Sequence, residues 1–216
     1  MWHRYAIRLM MIIAGLSIWF GTQALLGSRS GTENKVGDGL HEWTAAANEF
    51  LHENSYWSTF LLCGSSAIVD FSALLLVIKF IFGSSLRPYL ALLILFLTRQ
   101  VCQALVTLPS PEGMIWYDPG FPSLFVTYYV TNDLFFSGHT GIVVLAAVEL
   151  FQVNNRMSKL LGVLLVALQI SALIVLRAHY TMDIFAGAIM ALLTGVIADW
   201  IVKNFRIENK NKRKQF

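Results

Sequence analysis

The sequence has few charged residues and only two cysteines, and both shortages exclude common classes of protein. Of its 216 residues 13% are charged, whereas a water-soluble domain carries about a quarter. Cys63 and Cys102 both fall inside apolar runs, so we expect two small core residues rather than a disulfide framework or a thiolate metal site. What remains is 56% hydrophobic, with a mean hydropathy of +0.60. This composition is typical of multi-pass membrane proteins.

Six apolar runs are long enough to cross about 30 Å of hydrocarbon at about 20 residues each. The sequence therefore predicts an all-α polytopic bundle of six transmembrane helices in a single domain over 1–216, with a basic tail at 203–216. The first run is longer than the core of a signal peptide, so we expect it to be a retained helix. The fourth is the shortest of the six, which are 5–26, 56–82, 87–108, 135–151, 159–176 and 182–202.

The basic residues predict the orientation, because they concentrate in cytoplasmic loops. Twelve fall at one set of helix ends, so we expect both termini to be cytoplasmic and loops 27–55 and 109–133 to face the periplasm, lumen or exterior. The opposite loops hold Arg29 and Lys35, with Arg177 at a helix edge. The twelve are Arg4, Arg8, Lys79, Arg87, Arg156, Lys159, Lys203, Arg206, Lys210, Lys212, Arg213 and Lys214.

The first outer loop contains a segment with helical spacing of apolar residues. Such a segment either lies flat at the membrane interface or packs over the bundle without a function of its own. Its apolar face is Leu40, Trp43, Ala47, Phe50 and Leu51, and its polar face is His41, Glu42, Asn48, Glu49 and Glu53.

Two short polar motifs interrupt the apolar sequence, and the predicted threading places both on the non-cytoplasmic side. They are Ser137-Gly138-His139-Thr140 and His179-Tyr180-Thr181-Met182-Asp183. The first opens a predicted helix, whose N-terminus favours an anion. There Gly138 allows close approach of a phosphoryl oxygen, and Ser137 and Thr140 can add hydroxyl donors.

The second motif supplies a nucleophile. His179 and Asp183 are four residues apart and share a face of a helix, so the carboxylate can hold the imidazole in one tautomer. The other ring nitrogen is then able to attack phosphorus and form a phosphohistidine. His139 remains to protonate the leaving alkoxide and then to deprotonate the acceptor.

Simpler interpretations stay open for each motif. The first is typical of a helix cap, and the second of a hydrogen bond between residues one turn apart. Two histidines and a carboxylate could also bind iron. Membrane di-iron enzymes need many more histidines than the five present, and His3 lies on the opposite side, so we expect no metal and no other cofactor.

At these motifs the sequence resembles the type 2 phosphatidic acid phosphatase superfamily, and within it the sphingomyelin synthase branch, which includes plant phosphatidylcholine:diacylglycerol cholinephosphotransferases. The resemblance covers roughly 99–202. It implies that His179 is the nucleophile, Asp183 its orienting carboxylate and His139 the acid and base, and that a phospho-headgroup passes from a glycerophospholipid to a lipid alcohol without metal. The matching residues are Asp133-x-x-x-Ser137-Gly138-His139-Thr140, His179-Tyr180-Thr181-x-Asp183, and Arg99 followed by Leu108-Pro109.

Departures from the lipid phosphatases favour the transferase branch. Phosphatases carry Lys-x6-Arg-Pro, whereas Lys79 and Arg87-Pro88 are one residue further apart and fall on the cytoplasmic side. Phe136 replaces the proline before Ser-Gly-His. Arg177 stands two residues before the second histidine rather than well upstream, and we expect it and Tyr180 to contact substrate.

Further charged and aromatic residues are candidates for substrate binding. Arg99 lies inside a predicted helix and is expected to face the cavity and bind phosphate, with Asp70 as a possible companion; the alternative is an Arg99–Asp70 pair that only aligns helices. Asp133 either tunes His139 or caps the fourth helix. The second outer loop carries aromatic residues that either cradle a choline ammonium or anchor the interface, namely Trp116, Tyr117, Tyr128 and Tyr129.

We therefore predict an integral membrane enzyme that transfers a phosphocholine-type headgroup to diacylglycerol or ceramide. Its partners would be the bilayer, a phospholipid donor and a lipid alcohol, with no nucleic acid. One alternative is a lipid phosphate phosphatase, in which water replaces the alcohol. Another is a lipid transporter or scaffold that uses its histidines only for packing.

Overall fold

A computed structural model describes residues 2–27, 36–128 and 134–212. Within these ranges the chain is helical and contains no strand, which confirms the all-α prediction. Five of the helices, α1, α4, α5, α7 and α8, are long and apolar enough to cross a membrane. The eight helices are α1 Trp2–Gly27, α2 Gly39–Trp43, α3 Ala45–Glu53, α4 Ser55–Phe82, α5 Arg87–Leu105, α6 Gly138–Phe151, α7 Arg156–Val175 and α8 Thr181–Lys212.

The fourth predicted span forms a helix shorter than the five long ones. Helix α6 has 14 residues, or about 21 Å at 1.5 Å per residue, short of the hydrocarbon thickness. It packs against α4, α5, α7 and α8, and most of its residues are buried. Because neighbouring helices enclose it, lipid does not set its length. The predicted six spans are therefore five long helices around one short central helix.

Helix α5 also ends earlier than predicted. Helix α5 stops at Leu105, whereas the apolar run continues to residue 108. Val106 is already extended, and the chain then approaches Pro109, before which helical backbone is disfavoured. The apolar residues after Leu105 belong to the outer loop.

Charged side chains collect at one end of the bundle. The carboxylate of Glu149 is buried and contacts both Lys79, at 3.0 Å, and Arg87. Arg87 also lies 2.8 Å from Asp199, so opposite charges compensate one another. Arg8 donates to the carbonyl of Gly83 at 2.9 Å and satisfies the C-terminal end of α4. This cluster agrees with the interpretation that Lys79 and Arg87 lie outside the reactive site.

The first outer loop forms two helices, and two residues of its polar face are turned inward. His41 and Asn48 are buried, whereas Trp43 is 83% exposed and Phe50 is 49% exposed. The Asn48 amide donates to the carbonyls of Gly113, at 3.0 Å, and Val175, at 2.9 Å. Buried carbonyls need such donors. The segment therefore packs on the bundle through His41, Asn48 and Leu51, while Trp43 and Phe50 stay exposed, as apolar residues of an interfacial helix do.

Candidate active site

The start of α6 is fixed by a side-chain cap. The hydroxyl of Ser137 accepts from the backbone N–H of Thr140 at 3.2 Å and from the Thr140 hydroxyl at 3.1 Å. Both side chains are buried. The structure thus shows the capping role that the sequence left open. Direct contact of either hydroxyl with phosphate stays a prediction.

The start of α8 lies against this cap through backbone atoms. The N–H of Ser137 donates to the carbonyl of Asp183 at 2.9 Å. A Cβ atom at Gly187, one turn after Asp183 in α8, would lie 2.4 Å from the carbonyl oxygen of Ser137. Only glycine lets the two helices approach this closely. The close approach brings the two polar motifs, 40 residues apart in the chain, into one site.

The two histidine rings are in direct contact in this site. His139 Nδ1 and His179 Nε2 share a hydrogen bond of 3.2 Å. On the other side of the His179 ring, Nδ1 lies 3.5 Å from the Asp183 carboxylate, whose Oδ2 accepts the backbone N–H of Tyr180 at 3.0 Å. His179 and Asp183 are almost fully buried, whereas His139 is half-buried. The row His139–His179–Asp183 therefore runs from the more accessible side inward.

Two residues of the first outer loop, His41 and Asp38, form hydrogen bonds to the second motif. Neither is among the predicted site residues. His41 Nε2 donates to the carbonyl of His179 at 3.1 Å, and its ring stacks on Tyr180. Asp38 accepts both the N–H and the hydroxyl of Thr181 at 2.6 Å, so it caps the start of α8. The long separation in sequence, 138 residues for the His41 contact, leaves no local signal for these roles.

The surroundings of His41 and Asp38 change the pKa of each side chain. Burial lowers the pKa of His41, because the ring is removed from water, and this effect outweighs Asp38 and the hydrogen bond to the His179 carbonyl, which both raise it. For Asp38, burial by itself would raise the pKa. The hydrogen bonds from Thr181 outweigh it and leave the pKa of Asp38 below its usual value. The outer layer therefore favours a neutral imidazole beside a carboxylate.

Arg99 lines the same small cavity as Gly138 and His139, as the sequence predicted. It is 3% exposed, and its Nε donates to the carbonyl of Phe136 at 3.0 Å while Nη1 donates to Gln23 of α1 at 3.2 Å. A Cβ atom at Gly138 would lie 3.0 Å from Arg99 Nε. The glycine therefore lets the guanidinium reach the start of α6.

The suggested partnership of Arg99 with Asp70 is wrong. Asp70 accepts from the hydroxyl of Ser123 at 3.1 Å and from the N–H groups of Leu124, at 2.9 Å, and Phe125, at 3.0 Å. The carboxylate thus orders a turn of the second outer loop. This assignment could not be read from the sequence, because it depends on where the loop folds back onto α4.

Arg177 and Tyr180 make contacts that hold loops in place. The guanidinium of Arg177 donates to the carbonyls of Glu112, at 2.6 Å, and His41, at 3.1 Å. The Tyr180 hydroxyl donates to the carbonyl of Pro109 at 3.0 Å. Substrate contact by either residue stays a prediction, and the observed contacts indicate a positioning role instead.

Aromatic side chains of the second outer loop stand beside His139. Trp116 meets the His139 ring edge to face, with centroids 5.5 Å apart, and packs on Tyr128 at 4.7 Å. The Tyr128 hydroxyl contacts Ser66, and burial raises the pKa of Tyr128 to about 12. The hydroxyl of Tyr117, in the same loop, contacts Ser58 of α4 at 2.8 Å.

Several predicted residues lie outside the described part of the chain. They are Asp133 and Tyr129, the loop cations Arg29 and Lys35, and the end of the basic tail at 213–216. The two hypotheses for Asp133 both stay open.

Comparison with known proteins settles the family. A family model described as AtPDCT1/2 matches residues 38–200, about three quarters of the 216 residues. The chain belongs to the AtPDCT1/2 family. Proteins of this family are phosphatidylcholine:diacylglycerol cholinephosphotransferases, so membership is consistent with the branch that the sequence motifs indicated. No curated protein and no solved structure matches the chain.

The AtPDCT1/2 match includes both polar motifs and the outer segment. It begins at Asp38, the cap of α2, and ends within α8. Helix α1, which supplies Gln23 to the Arg99 cavity, precedes the matched region. The family is one of lipid phosphotransferases, and the apolar helices fit lipid substrates in a bilayer.

The close approach of α6 and α8 predicts a strong effect of Gly187→Ala. The added methyl group would collide with the Ser137 carbonyl and push His139 away from His179, so we expect loss of most activity and a free energy of unfolding lower by about 1–3 kcal/mol. Gly195→Ala on the same helix is the matched control, since its Cβ would meet only the end of the Arg87 side chain at 3.4 Å. Equal activity and melting temperature in the two variants would contradict this packing.

The lowered pKa of His41 predicts a pH-dependent stability. The unfolded chain takes up this proton near pH 6.5, and the folded protein does so only at lower pH. Stability therefore falls as the pH drops below about 6.5. In thermal unfolding in detergent across this range, His41→Gln should reduce the slope and the exposed His3→Gln should not. An unchanged slope in His41→Gln would contradict the assignment.

Proposed function

We propose that the protein transfers a phosphocholine-type headgroup from a glycerophospholipid to a lipid alcohol through a phosphohistidine on His179. The observation that carries the proposal is the row His139–His179–Asp183, with contacts of 3.2 Å and 3.5 Å. A carboxylate can only accept, so its proximity favours a proton on His179 Nδ1. His179 Nε2 then carries the lone pair and faces His139, where a phosphorus atom would have to be attacked.

Transfer would proceed in two balanced steps. In the first, His179 Nε2 forms a bond to phosphorus while the bond from phosphorus to the diacylglycerol oxygen breaks, and protonated His139 gives the leaving oxygen its proton. In the second, His139 takes the proton of the acceptor hydroxyl, whose oxygen forms a bond to phosphorus as the P–N bond breaks. Asp183 stabilises the cationic His179 ring in between.

The start of the first step requires His139 to move. Nitrogen atoms 3.2 Å apart leave no room for phosphorus between the rings. His179 is held through its own carbonyl and by Asp183, whereas His139 is half-buried beside a cavity. We infer that the substrate phosphate displaces the His139 ring and takes its place beside His179.

Charge in the adjoining cavity suits the substrate. Arg99 is a buried cation within that cavity, and a guanidinium matches the geometry of phosphate oxygens. Trp116 and Tyr128 lie next to His139, and aromatic faces attract a quaternary ammonium. Together they would bind both charges of a choline headgroup.

We also propose that the site faces the non-cytoplasmic side of the membrane. Both motifs lie at the end of the bundle opposite the cluster of Lys79, Arg87 and Arg8. Basic residues favour the cytoplasmic side. The active site would then open toward lipids of the outer leaflet.

A labelled-lipid assay tests this function. The full chain in mixed micelles receives choline-labelled phosphatidylcholine with acyl-labelled diacylglycerol or ceramide, and we expect new phospholipid carrying both labels. His139→Ala and His179→Ala should lose at least about 10³-fold in kcat, and Asp183→Asn about 10²–10⁴-fold, with melting temperatures close to the parent. His52→Ala, an exposed histidine, is the control and should keep full activity.

The assay separates the alternatives. Release of phosphocholine or inorganic phosphate without a doubly labelled lipid would overturn transfer and favour a phosphatase. Full activity in the histidine variants, or their failure to fold, would favour a packing role in a transporter or scaffold. Activity lost on treatment with a strong chelator would overturn the expectation that no metal takes part.

A further inference from the structure

A second and larger cavity lies between α1, α4 and α5. Its volume is about 90 Å³ and its walls are almost entirely apolar. Gly15 and Leu16 of α1, Ala73 and Val77 of α4, and Leu93 of α5 contribute to these walls. Its apolar lining is typical of a site that binds apolar groups.

This cavity adjoins the cavity of the candidate active site and shares part of its wall. Trp19, Phe96, Phe125 and Ile142 line both. Along α1, Gln23 contacts Arg99 in the polar cavity, Trp19 follows one turn further in, and Leu16 and Gly15 lie a turn beyond that. The wall along α5 continues from Gln100 to Tyr89, about 16 Å at 1.5 Å per residue. The lining changes from charged to apolar along this path.

The apolar cavity also opens toward lipid. Ile18 on α1 and Leu97 on α5 line it and are 52% and 47% exposed. In the spanning part of α1 only 6% of the residues are buried, so this helix covers the cavity with few packing contacts. A lipid chain could enter sideways between α1 and α5.

Two polar side chains, Trp19 and Gln100, interrupt the apolar lining of the cavity. The indole N–H of Trp19 and both amide atoms of Gln100 are buried and have no hydrogen-bond partner within the described residues. Leaving such groups unpaired in an apolar site costs free energy. Both lie between the phosphate-binding end and the apolar end, where a bound lipid would present its ester groups.

We propose that this cavity binds one acyl chain of the donor phospholipid, with the ester carbonyl accepting hydrogen bonds from Trp19 Nε1 and the Gln100 amide. The order of groups along the path, from Arg99 to Trp19 and Gln100 to Leu93, matches phosphate, ester and chain in a glycerophospholipid. The assignment of the donor rests on the proposed function, because the phosphate end adjoins His139.

Photo-crosslinking tests the occupant without requiring turnover. The full chain in detergent is irradiated with phosphatidylcholine that carries a diazirine in one acyl chain. We expect saturable labelling of α1 and α5 around residues 12–19 and 89–100, equal in the parent and in His179→Ala. Leu93→Trp, which fills the cavity, should reduce this labelling at least about tenfold. Val101→Trp, on the lipid-facing side of the same helix, should not.

Two results would overturn the proposal. Labelling spread evenly over the lipid-facing helices, α7 included, or labelling unaffected by Leu93→Trp would show that no chain binds in the cavity. Protection by diacylglycerol but not by unlabelled phosphatidylcholine would assign the cavity to the acceptor instead. Saturable labelling in a protein that makes no new phospholipid would support acyl-chain binding in the cavity and overturn the proposed headgroup transfer. Failure of the binding proposal can therefore be distinguished from failure of the proposed function.

The ester contact has its own test. Diether phosphatidylcholine lacks the carbonyl, so it should compete about fivefold less well than the diester lipid against the photoprobe. In Gln100→Leu combined with Trp19→Phe, the two lipids should compete equally, and the KM for phosphatidylcholine should rise with little change in kcat. Equal competition by diester and diether lipids in the parent protein would overturn the contact.

Discussion

The site depends on one backbone contact, the hydrogen bond from the N–H of Ser137 to the carbonyl of Asp183, at 2.9 Å. It fixes the start of α6 against the start of α8, and Gly187 is the residue that permits the distance. Asp183 supplies the carbonyl of this hydrogen bond, and His139 follows Ser137 by two residues. The backbone contact therefore sets the row of His139, His179 and Asp183. A carboxylate this deeply buried is tolerated since the Tyr180 N–H and the His179 ring both face it.

The rest of the bundle separates charge from the apolar middle. One end gathers Glu149 with its two cations, which ties α4, α5 and α6 together, and the other end carries the histidines under a polar outer layer. Between them, the apolar cavity beside α1 adjoins the smaller cavity that Arg99 lines. A phosphotransferase that acts on membrane lipids needs a rigid polar site for the headgroup. It also needs an apolar region for the acyl chains, which stay in the hydrocarbon of the bilayer.

Much of this arrangement could be predicted from the sequence, since hydropathy and the two motifs report on local properties. The five long helices, the common end of the motifs and the contact of His179 with Asp183 follow from periodicity and spacing. The short central helix was predicted as a span, because hydropathy cannot distinguish a helix enclosed by protein from one in lipid. Asp70, Asp38 and His41 acquire their roles through contacts across 53 residues or more. The proposed role of Gln100 and Trp19 could not be predicted from the sequence, because it depends on the cavity between their helices.

The central claim is that His179, held by Asp183, becomes bonded to phosphorus. It is tested most directly by mixing the protein with phosphatidylcholine that carries a heavy-isotope choline, quenching within one turnover under alkaline conditions that preserve phosphoramidates, and mapping the adduct by peptide mass spectrometry. The account predicts a phosphocholine adduct on the peptide that contains His179, absent in His179→Ala. An adduct on His139, or product formed within one turnover with no adduct on either histidine, would contradict it.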